Sequence, residues 1–283
     1  MQARKATFAG SWYPDSPDAC EMEINAFLNE IDVSSVSNRQ LIGGIVPHAG
    51  WYFSGSIACN VIGCLREDPP PDVIVIFGMH LHPTSPNHIM AEGAWETPFG
   101  NLPIAEDLAK ELVSRFSFRI ETAKDYNRDN TIELQLPFIK FFFNDVKIVP
   151  IGAPPSTDSL KIGTAVAEIS QHLGLRTKVI GSTDLTHYGT NYGFAPKGTG
   201  PSAIEWVKEE NDRRILDSML IMDTEKVIAE ALASQNACCA GAAATAIEAG
   251  KALGADKAEF LAYASSYDKS PGDSFVGYVG IVF

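Results

Sequence analysis

The segment Lys178-Val179-Ile180-Gly181-Ser182-Thr183-Asp184-Leu185-Thr186-His187-Tyr188-Gly189 joins an apolar run directly to hydroxyl, acidic and imidazole side chains. This order is typical of a strand that ends in a polar loop. In an open α/β sheet, ligands bind in the crevice outside the carboxyl ends of the strands. Asp184 and His187 are three residues apart, so one turn of chain can direct both at the same object. The alternative is a turn in which these polar side chains form hydrogen bonds only with one another and bind no ligand.

Two other apolar segments end in the same way. Residues 41–46 lead to His48, and residues 72–77, a continuous apolar run typical of a buried parallel strand, lead to His80 and His82. Further strand and helix patterns alternate at residues 55–65, 106–115, 131–143, 146–151, 160–173, 205–222, 224–234, 236–253, 258–263 and 275–283, and residues 83–104 are expected to form loops. The pattern predicts a single α/β domain over residues 1–283, with a mostly parallel or mixed central sheet flanked by helices.

Composition narrows the class of protein. The chain has 283 residues, 45% of them hydrophobic, which is ample for a large core. A formal net charge of −13 disfavours binding to nucleic acid or to anionic membranes. We find neither the apolar region of a signal peptide nor a run near the ~20 apolar residues that a membrane span needs. Five cysteines without a repeating spacing argue against a disulfide scaffold, so we expect a cytoplasmic protein.

Histidines, cysteines and one acid are expected to meet at a single site. The candidates are His48, His80, His82, Asp184, His187, Cys238 and Cys239. Imidazole, thiolate and carboxylate together suit iron, zinc or copper. In extended chain His80 and His82 face opposite ways, so we expect one of them at the site. Adjacent Cys238 and Cys239 are also expected to point apart, so that at most one binds a metal.

Glu133 is a further candidate, because it is a lone acid in an apolar segment between Ile132 and Leu134. A carboxylate in apolar surroundings needs a hydrogen-bond or charge partner. Glu133 could act as a catalytic acid or base, could hydrogen-bond to a residue that binds the metal, or could form an ion pair. A cysteine beside a histidine can also act as a nucleophile without any metal. A hydrolase therefore remains an alternative at this point.

Several motifs, taken in order, resemble one family. They are Gly10-Ser11-Trp12-Tyr13-Pro14, Pro47-His48-Ala49-Gly50, Trp95-Glu96-Thr97-Pro98-Phe99-Gly100, Ile132-Glu133-Leu134-Gln135-Leu136-Pro137-Phe138, the segment 182–189, Ala262-Tyr263-Ala264-Ser265-Ser266 and Gly277-Tyr278. Together they resemble the Memo-like proteins, also called AmmeMemoRadiSam system protein B, over nearly the whole chain.

This resemblance implies a fold related to class III (LigB-type) extradiol dioxygenases, which use non-haem ferrous iron. It also implies a metal held by His48, by His80 in preference to His82, and by Cys238 in preference to Cys239. Asp184 and His187 would lie beside the metal in an acid/base role. Asn130 stands where relatives often carry a histidine.

The function that the resemblance implies is a metal-dependent redox enzyme or oxygenase with an unidentified substrate. Iron is the first choice of metal, with copper and zinc as alternatives. A second hypothesis is a protein without catalysis that binds a small molecule, a peptide or metal, as a partner of AMMECR-type and radical S-adenosylmethionine proteins. The Cys/His hydrolase is the third.

Overall fold

The computed structural model describes residues 2–36 and 39–283. The strands within this part of the chain are β1 (Ala3–Arg4), β2 (Gly43–Val46), β3 (Val73–Gly78), β4 (Asn87–Met90), β5 (Ala94–Thr97), β6 (Gly100–Pro103), β7 (Phe118–Glu121), β8 (Lys147–Gly152), β9 (Thr177–Ser182), β10 (His187–Tyr188), β11 (Glu259–Ser265) and β12 (Phe275–Val282).

The α-helices in the same ranges are α1 (Pro17–Phe27), α2 (Trp51–Cys64), α3 (Glu106–Arg115), α4 (Asn130–Glu133), α5 (Leu136–Phe142), α6 (Thr157–Leu173), α7 (Pro201–Trp206), α8 (Asp212–Leu220), α9 (Thr224–Ser234), α10 (Ala240–Ala252) and α11 (Ser266–Lys269). A 3-10 turn covers Thr190–Tyr192, and a π-helical turn, Val207–Asn211, joins α7 to α8. None of the helices in the described residues is long and apolar enough to cross a membrane.

The central sheet has the strand order β10-β12-β2-β9-β3-β8-β4-β7, with β11 paired to β12. Strands β2, β9, β3 and β8 are parallel, whereas β12 is antiparallel to β2 and β4 is antiparallel to β8. A smaller sheet contains β1, β5 and β6. The prediction of an α/β fold with a mixed central sheet is confirmed.

Helices cover both faces of the central strands. A side chain added at Gly44 would meet Val61 of α2, and one added at Gly181 would meet Ala246 of α10. Gly44 is paired with Ile180, the residue before Gly181, and successive strand residues point to opposite faces. Helices α2 and α10 therefore lie on opposite faces of the sheet, which explains why every residue of β3 is buried.

The structure differs from the sequence prediction in two regions. Residues 83–104, expected to be loops, contain β4, β5 and β6. The helix expected over residues 131–143 is broken into α4 and α5, because Pro137 lies in the first turn of α5 and cannot continue a preceding helix.

Candidate metal centre

Three neighbouring strands bring the predicted side chains to one edge of the sheet. Strand β9 lies between β2 and β3 and is parallel to both. His48 follows the end of β2, Asp184 follows the end of β9, and His80 follows the end of β3. Because parallel strands end at the same edge, these three side chains share one crevice.

The start of α10 brings both cysteines to the same crevice. The Cys238 N–H donates to the Asp184 carbonyl oxygen at 3.1 Å, and the Cys239 N–H donates to Thr183 Oγ1 at 3.1 Å. A Cβ at Gly241 would lie 2.3 Å from the Pro154 carbonyl carbon. Only glycine therefore permits this close approach, which presses the helix N-terminus onto the loop after β8.

Four donor side chains converge here. The potential ligand atoms of His48, His80, Cys238 and Cys239 all lie within 4.8 Å of one another. The Cys238 Sγ atom is 3.3 Å from His48 Nε2 and 3.7 Å from the Cys239 Sγ atom. The expectation that the adjacent cysteines point apart is wrong. Imidazole nitrogens and thiolate sulfurs at this spacing could bind a transition metal ion.

Hydrogen bonds fix the orientation of the His48 ring. Ser182 Oγ donates its proton to the Thr131 carbonyl at 2.8 Å, so it accepts from His48 Nδ1 at 3.0 Å. The lone pair of a neutral His48 is therefore on Nε2, which faces Cys238. This is the tautomer that a metal ligand requires.

His80 is held by a carboxylate. Its Nδ1 lies 3.1 Å from Asp129 Oδ2, which also accepts the His80 backbone N–H at 3.2 Å. The other oxygen, Oδ1, accepts the backbone N–H and the hydroxyl of Thr131. Between β3 and His80, Met79 adopts a left-handed conformation, φ 73°, and its N–H donates to Thr131 Oγ1 at 2.7 Å. A carboxylate behind a ligand histidine is a common arrangement in metal sites.

Charges within the group stabilise one another. Burial acts to raise the pKa of the Cys238 thiol, but hydrogen bonding from Cys239 and the two histidines lowers it well below the ordinary value. Burial acts to lower the pKa of His48, and the negative charges of Asp184 and Cys238 outweigh this and raise it. The thiol and the imidazole rings therefore favour one another's charged forms, and binding of a metal cation would release protons from them.

A cavity of about 620 Å³ opens beside the donor group. Its wall includes His48, His80, Asp184 and His187, together with Asn130. Aromatic side chains form a further part of the wall, namely Trp12, Tyr52, Phe53, Tyr192 and Tyr278. This volume suits a small organic molecule.

Asp184 and His187 are held differently. Asp184 is buried; its Oδ1 accepts the His48 backbone N–H at 2.7 Å, and burial raises the pKa of its carboxyl. The Nδ1–H group of His187 donates to the Leu185 carbonyl oxygen at 3.1 Å, so Nε2 is the ring nitrogen that does not take part in this hydrogen bond. The His187 ring meets the Tyr192 ring edge-on, with the ring centroids 5.0 Å apart.

A buried polar network supports this segment from behind. Two consecutive side chains are buried where the π-helical turn meets α8: Asn211, the last residue of the turn, and Asp212, the first of the helix. Asp212 Oδ1 accepts the Thr186 N–H at 3.0 Å, and Asn211 Nδ2 donates to Thr186 Oγ1 at 3.0 Å. Burial raises the pKa of Asp212 to about 6. The network holds Thr186, and with it the chain between Asp184 and His187.

The structure does not bring every candidate to the group. His82 is exposed, and its Nδ1 lies 2.9 Å from Thr84 Oγ1. Glu133 accepts hydrogen bonds from the Phe8 N–H at 2.7 Å, the Thr7 hydroxyl at 2.9 Å and the Tyr13 hydroxyl at 3.2 Å. Its carboxylate thus anchors the N-terminal segment whose Trp12 lines the cavity.

Three polar residues in the site were not predicted from sequence. They are Asp129, Ser182 and Thr183. Asp129 precedes Thr131, and an acid two residues before a threonine at a helix start is a capping pattern that marks a structured position. No comparable signal distinguishes Ser182.

Comparison with known proteins agrees with the motifs. The family model for Memo-like proteins matches residues 4–282. A MEMO1 family protein of Pyrococcus furiosus is 35% identical over 290 residues, covering 99% of this chain and 98% of the relative. A second, from Pyrococcus horikoshii, is 32% identical over 289 residues, covering 99% and 98%.

The fold has a solved counterpart. The crystal structure of an uncharacterized protein from Escherichia coli K12 superposes with a TM-score of 0.52 at 9% identity, covering 86% of this chain and 99% of that one. At this identity the likeness concerns the fold alone. The family match and the full-length relatives decide the classification: the chain belongs to the Memo-like protein family.

Proposed function

We propose that this protein is a metal-dependent redox enzyme or oxygenase that acts on a small organic molecule in the cavity. The observation that carries the proposal is the shared position of His48 and His80. Both belong to the donor group, and both also line the cavity. A metal at a purely structural site is closed off by its ligands, whereas a catalytic one faces a space that substrate can enter.

The residues have separate tasks in this proposal. His48, His80 and Cys238 would hold the metal, with iron as the first choice and copper or zinc as alternatives. Such an ion, when bound, supplies Lewis acidity and, for iron or copper, one-electron chemistry. The Nδ1 atoms of both histidines are engaged by Ser182 and Asp129, so their Nε2 atoms remain for coordination.

Proton transfer is assigned to Asp184 and His187. Both face the cavity, and His187 Nε2 can hold or release a proton there because Nδ1 is already committed to the Leu185 carbonyl. The rings of Trp12 and Tyr192 offer flat apolar surfaces that would orient a substrate and exclude water.

One observation favours a second candidate function. The Cys238 sulfur and His48 Nε2 are 3.3 Å apart, which is the spacing of a nucleophile and its base. A metal-free Cys/His hydrolase would use the same pair. It differs from the redox enzyme in needing no metal and in losing activity on alkylation of one thiol.

The experiment measures metal content and oxygen uptake together. Protein purified without chelator should contain stoichiometric iron, copper or zinc, which His48→Ala should lose and the exposed control His172→Ala should keep. In protein that holds iron or copper, oxygen consumption should then require both the metal and a small phenol or related compound. Metal content unchanged in His48→Ala would refute the proposal. Ester hydrolysis by metal-free protein, blocked by iodoacetamide, would favour the hydrolase, and metal binding with no turnover would favour a binding partner.

A further inference from the structure

The Cys239 thiol has no task in the site as proposed above, although it is in contact with it. Its side chain is buried, with a residue exposure of 2%. The Cys239 sulfur forms a hydrogen bond with the Cys238 sulfur, with the two atoms 3.7 Å apart. The Cys239 thiol is therefore not only a buried apolar group, because it lies next to the side chains that could bind a metal.

The spacing of the sulfurs matches that of two ligands on one ion. In a tetrahedral site with metal–sulfur bonds of about 2.3 Å, two sulfurs are separated by about 3.8 Å. A sulfur and an imidazole nitrogen on the same ion are separated by about 3.6 Å. The observed separations are 3.7 Å between the Cys238 and Cys239 sulfurs, and 3.3 Å between Cys238 Sγ and His48 Nε2.

The backbone explains how two adjacent residues reach the same point. Successive side chains point apart in extended chain, but here the chain turns into a helix. Cys239 is the N-cap residue of α10, with φ −127° and ψ 49°. Both cysteine N–H groups are fixed by residues that follow β9, through the Asp184 carbonyl and the Thr183 hydroxyl. The Cys239 carbonyl oxygen accepts a hydrogen bond from the Ala243 N–H at 3.1 Å. The turn at Cys239 is therefore fixed both by the loop after β9 and by the first turn of α10.

We propose that Cys239 is a fourth protein ligand of the metal, which gives the centre two imidazole nitrogens and two thiolate sulfurs. The inference rests on the proposed metal binding and specifies its ligand set. Two thiolates balance the charge of a divalent ion, and sulfur donors favour zinc, copper or iron over magnesium or manganese. The Asp184 carboxylate is then not needed as a ligand and stays hydrogen-bonded to the His48 N–H.

The test counts sulfur atoms around the metal in the full-length protein. X-ray absorption of the zinc-loaded wild type should show two sulfur neighbours at about 2.3 Å, and Cys239→Ala and Cys238→Ala should each show one. In cobalt-loaded protein, the thiolate-to-cobalt absorption should fall by about half in each variant. Cys59→Ala, which removes a buried thiol in α2, is the matched control and should retain both sulfurs.

Affinity provides a second readout. The affinity for zinc should fall at least about tenfold in Cys239→Ala, because loss of a residue that only hydrogen-bonds to a ligand already lowers metal affinity by about that factor. Cys239→Ser is nearly isosteric and should keep the packing of the wild type. If Cys239 is a ligand, X-ray absorption of this variant should still show only one sulfur bound to zinc, which distinguishes loss of a ligand from a packing defect. One sulfur in the wild type, or two in Cys239→Ala, would overturn the fourth ligand while leaving metal binding intact. Failure of the wild type to bind any of zinc, cobalt, iron and copper would overturn both this inference and the proposed function.

Discussion

Replacing Asp129 by asparagine should weaken metal binding without removing any proposed ligand. The Asp129 carboxylate accepts four hydrogen bonds, two from His80 and two from Thr131, each pair including a backbone N–H. An amide offers one oxygen and one NH₂ group. In either orientation, one backbone N–H must face another donor. With the NH₂ toward His80, the amide also donates to Nδ1 and forces the proton onto Nε2, where the metal would bind.

The size of the effect follows from these lost contacts. Loss of the residue behind a ligand histidine costs about 10–100-fold in metal affinity, which corresponds to about 1.4–2.8 kcal/mol. The backbone N–H left without an acceptor should lower the free energy of unfolding of the metal-free protein by about 1 kcal/mol. Hydrogen bonds from His80 and Thr131 outweigh burial and hold the pKa of this carboxyl below its usual range.

The assay is competition for zinc against a chromophoric chelator, paired with urea denaturation of the metal-free protein. Asp125→Asn removes the same charge from an exposed position in the same loop and serves as the control. It should leave both quantities unchanged. Zinc affinity in Asp129→Asn equal to that of the wild type would refute the argument that this carboxylate sets the His80 tautomer.

Three further changes test other parts of the structure. Glu133→Gln should lower the free energy of unfolding in urea by about 1–2 kcal/mol, because the carboxylate accepts three hydrogen bonds at the N-terminal segment; a loss of zinc affinity as large as that of His80→Ala would contradict this structural role. The folded pKa of Asp212, about 6, lies above that of the unfolded chain, so stability should fall as pH rises from about 4 to about 6. In urea titrations the wild type should lose about 2 kcal/mol relative to Asp212→Asn over that range, and parallel pH profiles would show that this carboxyl titrates normally. Zinc at about 100 times its dissociation constant should stabilise the wild type by about 2.7 kcal/mol, as measured by urea denaturation, and an equal gain in His48→Ala would exclude His48 as a ligand.

Much of the architecture could be predicted because long buried strands have a strong local signature. The apolar runs before His48, His80 and Asp184 each formed a strand, and the parallel arrangement alone brought their ends together. Short strands in residues 83–104 lack such runs, since each has only four residues and depends on its neighbours for pairing.

The site could be predicted only in outline, because several contacts join residues that are far apart in sequence. Asp129 contacts His80 across 49 positions, and Ser182 contacts His48 across 134. Nothing in the local pattern of either residue indicates such a partner. The cysteine pair was misjudged for a different reason: the alternation rule holds for extended chain, whereas Cys239 caps a helix.

The pairing of β2 constrains when this protein can fold during synthesis. Strand β2 ends at Val46, but one of its neighbours, β9, begins only at Thr177, and the other, β12, spans Phe275–Val282 near the end of the chain. A nascent chain that has emerged only as far as α9 still lacks Cys238 and one of the two partners of β2. Folding that depends on such distant pairings is slow, and the donor group is completed only after translation has passed α9 and reached Cys239. The proposed metal can therefore be bound only after translation has passed Cys239, so the supply of metal before that point should have little effect on loading.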